Sequence, residues 1–353
     1  SCAANAGAPV IDESSWGQQR MGAERAWPRA TGEVIVAVID TGVSAHTASL
    51  RGAVLPGADV SGGRGDVDCF GRGTFVASLI AARAVEGTGF VGVAPGATIL
   101  PIRVTSDPDD FTLDKTLPGL LSTAINTAVG AGARVIAMPL TTNIDDGGLR
   151  AAVRNAVSKN VLIVAAAARP DATPSFPAQL EGVLSVAPLT PDGGLDAAQL
   201  GAPPDLAAPS SDLIGAVPDG AGHIGGGGEG VAVAYAAGAA ALVMDAYPEL
   251  SAQQVGERLI ETADGTTSGF DPDAPRDASI GFGVVNPAAA VMRLQAEAGT
   301  ESLHAVTTLD LPEKPDERPA NLALIIALGA LVVGAAVIGP TMGIILSRRS
   351  GKL

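Results

Sequence analysis

The chain has 353 residues, 47% of them hydrophobic, so it must bury a core, and disordered or collagen-like states are excluded. Aromatics make up only 3% against 45 Gly and 25 Pro, which calls for a core of small aliphatic side chains joined by many tight turns. A net charge of −15, from 22 basic and 37 acidic residues, excludes a nucleic-acid-binding face, which needs basic side chains to neutralise phosphates.

The chain opens Ser1-Cys2 without Met, as expected when an export signal precedes it. Residues 1–30 read as an N-terminal arm. Cys2 and Cys69 are the two cysteines of the chain and form one candidate disulfide in an exported domain. Closing a loop of that size is worth on the order of 4 kcal/mol in the chain-entropy model and tethers the arm.

Over 31–299 short apolar runs alternate with helical patterns, as in one α/β domain. Residues 34–39, 98–104, 134–138, 161–167 and 183–187 are rich in Val and Ile and nearly continuous in hydrophobicity, which predicts buried strands. Between them 73–83, 117–129 and 147–159 carry apolar residues at helical spacing. Strand and helix in alternation imply a parallel sheet covered by helices on both faces, with ligands and chemistry gathered beyond the C-terminal strand ends. Asp40 stands at the first such end, in V-A-V-I-D-T-G-V.

Residues 300–321, with Pro312, Pro315 and Pro319 among charged side chains, predict an extended stalk. Leu322 to Leu346 then runs 25 residues without a charge. At about 1.5 Å per residue such a helix exceeds the roughly 30 Å hydrocarbon core of a bilayer. Arg348, Arg349 and Lys352 follow, so 347–353 is expected to be a cytoplasmic basic tail on a single membrane-crossing helix, with the bulk of the chain on the extracytoplasmic side.

Several segments in order carry a family resemblance: W-G-Q-Q-R-M-G-A-E-R-A-W-P, V-I-D-T-G-V, D-C followed by G-R-G-T, G-V-A-P-G-A, the Ala-rich stretch ending Y-P-E-L, and G-F-G-V-V-N-P. Together with the C-terminal span they resemble the subtilisin-like serine proteases (peptidase S8), and within them the mycosins, membrane-anchored proteases of bacterial type VII secretion systems. The resemblance implies a subtilisin-like sheet and a Ser-His-Asp triad, in which a His takes the proton of the Ser nucleophile and an Asp orients the His.

Asp40 matches the triad Asp. The His should open H-G-T, yet the chain reads Arg72-Gly73-Thr74; the Ser should close G-T-S, yet the chain reads Gly228-Glu229-Gly230. Where the family carries its oxyanion Asn, V-A-A-A-A-R-P places Arg169. A guanidinium stays protonated and has no lone pair to accept a proton, and glycine offers no nucleophile. The resemblance therefore implies a protease scaffold without protease chemistry, Asp40 being a vestige. With the fold retained, Asp40, Arg72, Arg169 and Glu229 are expected to form a charge network in one cleft, Arg72 pairing with Asp40.

An active endopeptidase built from relocated groups is the alternative, with His223, ahead of the vacant nucleophile position, as displaced base for a nearby Ser. His46 reads as a surface-loop residue, His304 as part of the tail, and Ser210 and Ser211 as turn or capping residues. Asp107, Asp109 and Asp110, and Asp271 with Asp273, lack the spacing of a calcium loop; no metal or cofactor is expected. The resemblance implies partners among type VII secretion membrane-complex subunits, with the bilayer meeting residues 322–346 and the old cleft left open to an extended peptide. A stand-alone surface peptide-binding protein is the third reading.

Overall fold

The computed structural model describes residues 8–107, 115–169, 173–194, 199–265 and 276–293, all within one compact unit. The predicted stalk, membrane span, basic tail and His304 lie outside the described residues, as do Asp109, Asp110, Asp271 and Asp273. Among the described residues no helix is long and apolar enough to cross a membrane.

Helix α1 (Trp16–Met21) opens on Ser15, whose side chain and Gln18 form a reciprocal capping box. The chain continues through β1 (Ile35–Asp40), β2 (Ala58–Asp59), α2 (Arg72–Ala81), β3 (Thr98–Arg103), α3 (Leu117–Gly130), β4 (Val135–Met138), α4 (Gly147–Ser158), β5 (Leu162–Ala166), β6 (Ala168–Arg169) and β7 (Val183–Leu189). Strands β8 (Gln199–Leu200), β9 (Leu206–Pro209), β10 (Leu213–Ala216) and β11 (His223–Gly226) follow, then α5 (Ala232–Ala246), α6 (Ala252–Glu261) and α7 (Pro287–Met292). The five predicted strands and three predicted helices are present within one to two residues of their expected ends.

A seven-stranded sheet has the order β2-β3-β1-β4-β5-β7-β9, and each of its pairs is parallel. Both faces are covered because alternate strand residues point to opposite sides. Val36, Val38, Val135, Ala137 and Val164 share one core with α2 and α5. Ala37, Ile39, Ile136, Met138 and Ile163 share the other with α3 and α4. Asp146 caps α4 by accepting from the Leu149 N–H, and Ser251 with Gln254 forms a capping box on α6.

Helix α5 is buried from Ala232 to Met244. Rich in Ala and with one Gly, it packs closely against the sheet and α2, so the small-residue core expected from composition has its centre here. Two short antiparallel pairs, β6 with β8 and β10 with β11, stand apart from the main sheet.

Candidate functional site

Strand β1 is flanked by β3 on one side and β4 on the other, so the strand order reverses there and a crevice opens beyond its C-terminal end. Asp40 ends β1 and is fully buried. One of its oxygens accepts the Thr41 N–H at 2.6 Å. Arg72, the first residue of α2, places its Nε 3.0 Å from Asp40 Oδ1 and 3.2 Å from Oδ2. A single N–H thus spans both carboxylate oxygens, where a bidentate fork would use two parallel bonds; Arg72 Nη2 is buried with no hydrogen-bond partner. The Arg72 side chain keeps 28% of its surface while Asp40 keeps none, so the pair forms a neutral floor with its cationic member toward solvent.

Asp68 lies beside this pair and is 2% exposed. It accepts the Thr41 hydroxyl at 2.9 Å, the Gly71 N–H at 2.8 Å, and the Thr74 N–H and hydroxyl at 2.8 and 2.7 Å. Thr41 Oγ1 in turn accepts the Gly73 N–H at 3.0 Å. The carboxylate therefore gathers the first turn of α2 and fixes it to the end of β1, which aims Arg72 at Asp40. Burial pushes the Asp68 carboxyl up from its ordinary range, against the pull of these hydrogen bonds. The Asp68-Cys69 motif in the sequence does not by itself reveal this role of Asp68. The available signal was an Asp a few residues ahead of a helix start, where acceptors satisfy free N–H groups.

Gly230 stands just before α5. A Cβ placed there would meet the Pro139 carbonyl oxygen at 2.5 Å and Pro139 Cβ at 2.8 Å, so the backbone after β4 closes against the position. Nothing in the sequence pattern of Met138-Pro139-Leu140 announced this contact. Arg169 ends β6, with its Nη1 2.9 Å from the Thr141 carbonyl oxygen and its Nε 3.0 Å from the Thr173 hydroxyl. The guanidinium is drawn onto the segment that follows β4. Glu229 is half-buried and makes no hydrogen bond or ion pair among the described residues. The expected four-member network is therefore corrected: Asp40 and Arg72 are joined, Arg169 is held by threonines, and Glu229 stays outside the pair.

Neither of the two described histidines, His46 and His223, is placed as a replacement base. His46 is exposed in the loop after β1. His223 is 3% exposed, and its Nδ1 accepts the Ile11 N–H at 3.1 Å. Its ring lies 5.1 Å from that of Phe90, and burial lowers its basicity below the ordinary histidine value. The lone pair a general base would use is thus occupied by the arm, which corrects the reading of His223 as a displaced base. Ser210 is buried, with its hydroxyl 3.3 Å from the Leu189 carbonyl oxygen, a link between β9 and β7 rather than a helix cap. Among the described residues no group of acids, His and Cys is arranged to hold a metal. Cys69 is disulfide-bonded; its expected partner Cys2 lies outside the described residues. A groove of about 670 Å³ between α4 and α6 sits at the starts of β5 and β7, the opposite sheet end from Asp40.

Comparison with known proteins gives this geometry a lineage. Residues 31–283 match the model of the subtilase family, Peptidase S8. Mycosin-4 of Mycobacterium tuberculosis (strain ATCC 25618 / H37Rv) is 32% identical over 346 residues, covering 86% of this chain and 74% of the relative. Mycosin-3 of the same organism is 31% identical over 394 residues, covering 92% and 82%. Among solved structures, the MycP3 protease from the type VII (ESX-3) secretion system superposes with a TM-score of 0.71 at 31% identity, covering 80% of this chain and 91% of that one. A chain of the intact ESX-5 inner membrane complex gives 0.71 at 28% identity, covering 95% and 93%. With the parallel sheet, an Asp at the end of β1 and the Gly-rich approach to the Ala-rich helix all in the family's order, the chain belongs to the subtilase family as a mycosin-like member.

Proposed function

We propose that this protein is a catalytically inactive, mycosin-like pseudoprotease, held in a bacterial membrane by residues 322–346, with its bulk on the extracytoplasmic side, and that it serves as a structural component of a type VII secretion membrane complex. The observation that carries the inactive reading is the pair of substitutions at the triad positions. Arg72 takes the place of the base and is bonded to Asp40. Gly230 takes the place of the nucleophile and is packed against the Pro139 carbonyl. Residual catalysis without a triad rests on the oxyanion site and on binding, and Arg169 at the oxyanion position is committed to Thr141 and Thr173. The secretion reading is supported by likeness to chains from ESX-5 inner membrane assemblies. Pairing with a strand edge needs no nucleophile, so the cleft retains the means of holding an extended peptide.

A fluorophosphonate probe tests the inactive reading. Purified protein stays unlabelled while an active subtilase in the same tube reacts. Labelling that disappears when one Ser is replaced would establish an active enzyme with relocated groups. The structural role is tested by affinity purification from detergent-solubilised membranes. Co-purifying secretion-complex subunits are expected; recovery as a lone monomer overturns that role and favours a stand-alone surface protein.

A further inference from the structure

The segment ahead of α1 is fastened to β11 through a single residue. The His223 backbone N–H donates to the Pro9 carbonyl at 2.8 Å, and its side-chain Nδ1 accepts the Ile11 N–H at 3.1 Å. The arm lies so close that a Cβ on Gly222 would meet the Ala8 carbonyl oxygen at 2.5 Å. Phe90 covers the ring. Only the Nδ1 lone pair can accept the Ile11 N–H, so the proton of the neutral ring must sit on Nε2. Protonating Nδ1 turns this acceptor into a donor facing another donor, and the bond is lost rather than weakened.

We propose that His223 is an acid-released latch on the N-terminal arm: with the ring neutral, residues 8–12 lie bound along β11, and with the ring protonated they detach while α1 stays docked. Burial already disfavours the charged ring. The charged residues on the surrounding elements are Asp12 and Glu13 on the arm, Glu86 ahead of Phe90, and Asp212 and Asp219 at the ends of the β10–β11 hairpin. None of them hydrogen-bonds or forms an ion pair with the imidazole among the described residues. The ring therefore has no carboxylate to compensate its charge within the docked arm, whereas release delivers it to water. The sign follows from linkage: the detached state binds the proton more tightly, so the docked state loses stability as pH falls below the ordinary histidine value of about 6.5. Helix α1 keeps its own ties to the domain, the Trp16 indole donating to the Ser211 carbonyl at 2.8 Å and the Gln18 amide donating to the Val91 carbonyl at 3.0 Å, so release stops at the start of α1. The latch does not depend on whether the cleft is catalytic.

Hydrogen–deuterium exchange on the full-length protein, corrected for the intrinsic pH dependence of exchange, reads the latch directly. Between pH 7.5 and pH 5, protection of the Ile11 amide is expected to fall by up to about tenfold per unit below 6.5, while that of β1 and β4 holds. His223→Asn keeps an acceptor near the Nδ1 position without titrating there and is expected to hold protection constant over the same range. Unchanged wild-type protection, or an equal loss in the Asn variant, overturns the proposal. Should the Asn variant fail to hold the arm at any pH, an NMR titration of the wild type decides. The Ile11 amide shift must follow the His223 ring with one midpoint, and an amide that titrates apart from the ring overturns the latch.

Discussion

A Cβ on Gly230 would stand 2.5 Å from the carbonyl oxygen of Pro139, so the backbone after β4 has closed over the position where the family resemblance places a serine. Restoring the triad letters is therefore not enough. The double variant Arg72→His, Gly230→Ser is expected to fold with a stability loss of about 1–3 kcal/mol from overpacking, and to remain unlabelled by a fluorophosphonate and inactive on a peptide ester. Activity would be regained only with changes that also move the Pro139 segment. A labelled double variant would show that the closed wall relaxes at little cost.

Arg72 is predicted to matter more for folding than for any reaction. Truncation by Arg72→Ala leaves the fully buried Asp40 carboxylate without its cation, at a cost of about 3 kcal/mol, while Asp40→Asn with Arg72→Met is expected to recover most of that loss. Urea denaturation of Arg72→Met, Asp40→Asn and the double variant closes the cycle. A coupling near zero would mean the pair contributes nothing to stability.

Asp68 organises the start of α2, and its removal strands two backbone N–H groups and two hydroxyls. Asp68→Ala is expected to destabilise the domain by about 3 kcal/mol or more at pH 7. The pH trend has a definite sign. Because burial raises the native carboxyl above its unfolded value of 3.8, the native state binds the proton more tightly, and the stability Asp68 contributes grows as pH falls toward that value. The gap between wild type and variant should widen from pH 7 toward pH 4 in denaturation midpoints, and a gap that narrows contradicts the assignment.

Arg258 ties α6 to α7 without a carboxylate. It is 5% exposed and donates to the Ala290 and Arg293 carbonyls at the end of α7 and to the Tyr247 hydroxyl. Its guanidinium lies 4.3 Å from the Tyr247 ring centroid. The helix terminus supplies the partial negative charge that stabilises the cation. Lysine cannot reproduce this planar set of donors, so Arg258→Lys is expected to cost about 2 kcal/mol in thermal or urea unfolding, with α7 the first element to lose amide protection.

Sequence alone decided the strands, because β1, β3, β4, β5 and β7 are short apolar runs rich in Val and Ile that a two-sided core accommodates, and helix spacing between them left a parallel sheet as the arrangement. It also supplied the proposed assignment of Arg72 and Gly230 to the triad positions, since both sit inside motifs that follow the family's order. What only the tertiary structure decided are contacts between distant segments. Asp68 turned from an unassigned motif letter into the acceptor that sets α2. Pro139 came to close the space beside Gly230, and Arg169 was drawn to Thr141 instead of Glu229. His223, read from the chain as a candidate base, had its lone pair taken by Ile11, 212 residues away. Local pattern reports which face of a strand or helix a side chain occupies. It is silent on which backbone oxygen a crossover connection brings against that face, and in this cleft those oxygens determine what each substituted residue is able to do.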